Sequence, residues 1–205
     1  LRQLIPHTGS TIVVTAPTIG LFLLALALGY HAGARVADAY VGTVARNFIL
    51  SAFIAAFGLA GNTVDAIFTH LGPAVLGYFV FVGAVLCPLA YLLGQTVPVL
   101  TNLMRHERAG EKSGYALYYS TLGSFLGSVT LSLLVMQWLG VSAAVLACAL
   151  LLLGGTLLLG GRNLKIALFC ASTATVALFF NLHHEVTADT AYAEYIVGPA
   201  PLPGQ

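Results

Sequence analysis

The sequence predicts an all-α fold: a polytopic transmembrane helix bundle of six helices, with the start of a soluble β-containing domain at its C-terminal end. Three observations predict it. Only 7% of the 205 residues are charged while 59% are hydrophobic, and the mean hydropathy is +0.93; ordinary soluble domains are about a quarter charged. Several apolar runs approach the length of about 20 residues that a spanning helix needs. Beyond Phe180 the chain turns polar and ends in prolines. The expected organisation is a transmembrane bundle over 1–182, followed by a linker and first strand over 183–205.

The six helices are expected over 11–33, 44–60, 74–101, 114–138, 141–160 and 164–181. In the first, Pro17 lies between Thr15 and Thr18, whose hydroxyls are placed to satisfy a carbonyl freed by the proline. The same helix carries a stripe of small residues, Ala25, Gly29 and Gly33, at a spacing of four. The second is a short apolar run. The third is longer than a bilayer requires and carries Pro88 and Pro98, each of which removes a backbone donor and bends the helix. Within it, Gln95 needs a hydrogen-bond partner, since an amide in hydrocarbon is costly alone; a neighbouring helix or the carbonyls released at Pro98 supply candidates.

The fourth helix contains "GYALYYSTLGSFLGS". Ala116, Ser120, Ser124 and Ser128 follow one face, with Gly123 and Gly127 on its flank. Lipid gives helices little hydrophobic reason to pair, so close backbone approach and interhelical hydrogen bonds drive association. Both small-residue stripes therefore read as helix-packing surfaces, expected to face each other. A polar path lined by the serines is the rival reading. Gln137 and Trp138 suit a membrane interface, and a near-absent turn at Gly140 leads into the fifth helix. After the sixth, "YAEYIV" alternates as a strand does.

Seven of the eight basic residues, Arg35, Arg46, Arg105, Arg108, Lys112, Arg162 and Lys165, fall in the first, third and fifth connections. Cationic loops stay in the cytoplasm, so these residues read as cytoplasmic anchors, with an Arg35–Asp38 pair bracing the first turn. The tail from His183 is then expected outside.

A net charge of +1 without a basic run argues against nucleic acid as a partner. The expected partners are membrane lipid and other transmembrane helices, from subunits of a membrane complex or a second copy. Cys87, Cys148 and Cys170 lie singly in apolar segments, and His183, His184 and Glu185 lack a ligand spacing, so no metal, cofactor or catalytic set is expected in these residues. The spans hold no carboxylate at mid-depth, which leaves proton coupling without a visible carrier.

"GARVADAYVG" loosely resembles the loop signature of major-facilitator transporters, without the basic run that follows its aspartate; this carries the alternative of a small-solute carrier. "LGYHAGARVAD", "LLGQTVPVLTNL" and "GEKSGYALYYSTLGSFLGS" followed by "LGV" together resemble the membrane half of bacterial integral membrane proteins that bear a spermidine synthase-like (polyamine aminopropyltransferase) domain. The resemblance implies a bacterial inner-membrane location, a further helix ahead of Leu1, and a synthase domain after Gln205. It also implies aminopropyl transfer as an activity, with its catalytic residues beyond this stretch. The expected role is anchoring and scaffolding, with the tail on the periplasmic side by the charge count.

Overall fold

The computed structural model describes residues 12–71, 74–103, 109–138, 140–160, 170–178, 188–189 and 194–195. Almost all of them are helical. The elements are α1 (Ile12–Ala34), α2 (Tyr40–Gly58), α3 (Gly61–Leu71), α4 (Ala74–Phe81), a π turn (Val82–Leu86), α5 (Cys87–Gly94) and α6 (Thr96–Leu103). They continue with α7 (Ala109–Thr130), a second π turn (Leu131–Val135), α8 (Met136–Trp138), α9 (Gly140–Gly160) and α10 over 170–178. Five stretches are long and apolar enough to cross a membrane: Val14–Ala34, Tyr40–Gly58, Val75–Asn102, Gly114–Trp138 and Gly140–Leu159. The sixth expected helix is represented by α10, and the rest of 164–181 lies outside the described residues. Side chains such as Leu23, Leu24, Leu28, Val75, Leu151 and Leu158 point outward, which suits a surface solvated by acyl chains.

Two boundaries differ from expectation. The second span begins at Tyr40 rather than 44, and the connection after it is a helix. In α3, Val64 and Phe68 are buried while Asp65, Thr69 and His70 are exposed. This apolar face closes one end of the bundle, against Tyr78, Phe81, Val82 and Val85. Phe68 fits because Gly77 has no side chain: a Cβ there would sit 2.8 Å from the Phe68 ring.

The rod 75–102 runs about 42 Å at 1.5 Å per residue, against a hydrocarbon core of about 30 Å. It bends where the sequence places prolines. Pro88 offers no amide to the preceding turn, and there the helix widens so that the Cys87 amide reaches back to the Val82 carbonyl. At Gln95 the rod breaks again, three residues ahead of Pro98.

Helix α2 is the centre. One flank packs on α5 and α6, which in turn carry α1; the other packs on α9 and α10. Its buried residues, Val44, Ala45, Asn47, Ser51, Ala52, Ala55 and Ala56, are mostly small, and this lets two neighbours approach at once. Helix α7 meets α6, and its continuation through the second π turn and α8 meets α9. Gly140, at φ 81°, makes the reversal into α9. In the tail, β1 (Ala188–Asp189) pairs antiparallel with β2 (Glu194–Tyr195), Ala188 opposite Tyr195. The second of these falls inside the expected strand.

Candidate functional site

Helices α1 and α5 cross with their backbones in close approach. A Cβ on Gly29 would collide with the Tyr91 carbonyl, one on Gly33 would lie 2.7 Å from the Gln95 carbonyl oxygen, and one on Gly94 would lie 2.8 Å from that of Leu26. Glycines from both helices thus clear the way for each other's backbone, and Ala25 is buried on the same stripe. The first stripe therefore packs on α5, and the expectation that it meets the serine stripe of α7 is corrected. Helix α5 brings its own glycine, Gly94, to the contact, while Gly123 and Gly127 of α7 meet nothing within 4 Å.

Beside this crossing lies a cluster of uncharged polar side chains. Gln95 is 7% exposed and Asn47 1%. The Asn47 Nδ2 donates to Gln95 Oε1 at 3.0 Å and, at 3.5 Å, to the Leu92 carbonyl. Gln95 thus finds a partner on another helix. Ser51 lies one turn from Asn47 on α2 and is fully buried. Among the described residues, three buried oxygens have no hydrogen-bond partner: Asn47 Oδ1 and Ser51 Oγ on α2, and Thr96 Oγ1 of the residue that follows Gln95 in the chain. A second polar contact ties α1 to α4: Tyr78 donates to the Val14 carbonyl at 3.2 Å, and its oxygen lies 3.0 Å from Thr18 Oγ1. Thr18 itself donates to Val14 at 2.7 Å. Its hydroxyl serves that carbonyl rather than the one Pro17 frees, which belongs to Val13; Pro17 itself is exposed.

The serine stripe opens on space. Gly123 and Gly127 meet nothing within 4 Å, and Ser128 bonds back to the Phe125 carbonyl of its own helix at 3.0 Å. Ser120, Thr121 and Ser124 face a crevice of about 640 Å³ whose other walls include Tyr30, Pro98 and Asn102. The close approach expected at this stripe is not made by any described residue.

At the crevice's end, Asn102 caps α1. Its Nδ2 donates to the Ala34 carbonyl at 3.1 Å, a group that a helix terminus leaves without an intrahelical partner, and to that of Val36 in the turn beyond at 3.4 Å. Arg35, Asp38 and Arg46 are exposed, and no ion pair joins Arg35 to Asp38. The turn is instead held by main-chain bonds from Arg35 to Ala32 and from Val36 to Gly33, both 3.2 Å, together with Asn102. Of the other expected anchors, Arg105, Arg108, Arg162 and Lys165 lie outside the described residues, as do His183, His184 and Glu185. Lys112 lies in α7 without a described side chain.

Compared with protein-family models, curated proteins and solved structures, the chain matches none. What the site can do follows from its own groups. Among the described residues no three His, Cys, Asp or Glu side chains cluster, and Cys87, Cys148 and Cys170 are unbridged. The interior polar groups named above are amides and hydroxyls, which orient and hold by hydrogen bonds and move no net charge. The sequence reading singled out Gln95 but missed Asn47, Ser51, Tyr78 and Thr96. A signal existed for the first two: an amide and a hydroxyl one turn apart inside an apolar helix.

Proposed function

We propose that this chain is the membrane-anchoring and scaffolding domain of a spermidine synthase-like integral membrane protein. The observation that carries the reading is the interlocked crossing of α1 and α5 at Gly29, Gly33 and Gly94, beside an uncharged interior. Such a crossing makes a stiff platform and supplies no acid, base or nucleophile. The antiparallel pairing of Ala188–Asp189 with Glu194–Tyr195 is consistent with a β-containing element mounted on it. The seven basic residues in or beside alternate connections, with Arg46 and Lys112 on the adjoining helices α2 and α7, support a bacterial inner-membrane arrangement with the tail on the periplasmic side. A subunit of a larger membrane complex, or a second copy, is the partner proposed for the open face of α7.

The test is a reporter fused after Gln205. An alkaline phosphatase fusion should be active and a fluorescent fusion that matures only in the cytoplasm should be dark; the opposite pair of results overturns the orientation. Assay of the longer protein with decarboxylated S-adenosylmethionine and putrescine should show no aminopropyl transfer, and turnover would replace the scaffold by an enzyme. One observation favours a second reading: the crevice between α1, α6 and α7 is lined by Ser120, Thr121, Ser124 and Asn102 and has the volume of a small-molecule site. Uptake of a neutral solute into vesicles, lost on Ser120→Leu and Ser124→Leu, would select that carrier.

A further inference from the structure

Asn47 Oδ1, Ser51 Oγ and Thr96 Oγ1 are buried without partners among the described residues, and a buried polar group left so keeps an uncompensated desolvation cost. Their positions are related. Asn47 and Ser51 are one turn apart on α2, where side chains share a face and lie about 5–6 Å apart. Asn47 touches Gln95, whose chain neighbour is Thr96. The junction also carries a main-chain acceptor: Pro98 lacks the amide that would have bonded the Gly94 carbonyl.

We propose that this junction is a binding site for water, one or two molecules bridging α2 to the break between α5 and α6. The donor and acceptor inventory selects water over an ion. Asn47 Oδ1 only accepts, whereas Ser51 and Thr96 each have a proton to give and lone pairs to fill. Water donates to the first and accepts from the others, and a buried water forms about three such bonds. A monovalent cation would satisfy the oxygen lone pairs and leave two hydroxyl protons unpaired. It would also bring a charge among residues none of which is ionisable. Turning both amides around does not remove the need: Gln95 would then donate to Asn47 Oδ1, and Asn47 Nδ2 would become the buried unpaired group, a donor from which water accepts. Water fits either arrangement.

The site is tested by water-to-protein cross-relaxation in detergent micelles, on perdeuterated chain with a labelled Thr96 methyl and labelled Asn47 side-chain amide. Both groups should show cross-peaks to long-lived water in sodium chloride and in choline chloride alike. Thr96→Val combined with Ser51→Ala should remove the Asn47 cross-peak; Ser51→Ala alone, a milder change, should weaken it at least twofold. Absence of cross-peaks in the native chain overturns the proposal, because the hydroxyls then bond elsewhere. A melting temperature that rises with sodium but not with choline also overturns it, in favour of a cation.

Discussion

Ala39 holds a left-handed backbone, φ 54° and ψ 39°, where α2 begins. A side chain in that region costs about 1–2 kcal/mol, and the strain persists because the turn is fixed on both sides. The Thr43 amide bonds the Ala39 carbonyl at 2.9 Å, and Asn102 holds the carbonyls just before. Ala39→Gly relieves the strain and loses some chain entropy, so we expect a net gain of about 0.5–1 kcal/mol, read as a higher thermal midpoint in detergent. Glycines at the crossing behave in the opposite way. Gly33→Leu forces a side chain into the Gln95 main chain and should destabilise by about 1–3 kcal/mol, with loss of a monodisperse particle. Gly127→Leu, which meets open space within the chain, should leave the thermal midpoint of the single chain unchanged, and equal losses for the two would mean that α7 packs elsewhere in the bundle. Small residues at spacing four were readable in the sequence at both places. Their partner was not, because a notch records how close something comes and not which helix comes.

At the scale of elements, length made the spans legible. The five long apolar stretches lie close to where hydropathy put them, since 18 or more apolar residues leave few alternatives. Helix α3 was missed for the complementary reason: eleven residues with Asn, Asp, Thr and His among them read as a polar connection. Its signal was the spacing of Val64, Ile67 and Phe68, three and four apart, which puts them on one face. That face is the cap of the bundle, and Phe68 is its largest element, set into the space at Gly77. Phe68→Ala should cost about 3 kcal/mol and detach α3, seen as new protease cleavage between Gly61 and Leu71 with the spans still intact.

For the whole molecule, the order of neighbours around α2 could not be read from composition, because a side chain facing lipid and one facing a helix are equally apolar. Alanine against leucine was the finer clue: the flanks of α2 that meet other helices are rich in Ala and Ser, while Leu50 and Phe53 are exposed. The arrangement makes a direct prediction. With Cys87, Cys148 and Cys170 replaced by alanine, Asp38→Cys and Thr69→Cys should be labelled by an impermeant thiol reagent from opposite sides of sealed vesicles. Labelling of both from one side would mean that α2 does not cross.

Helix α7 is moored at one end to α6 and at the other, through Gly140, to α9, with no described residue pressed on its middle. A strut held in this way has its slant set by whatever surrounds it. Swelling or thinning of the bilayer would be felt first as a change in its lean, while the glycine-locked pair beside it keeps its angle.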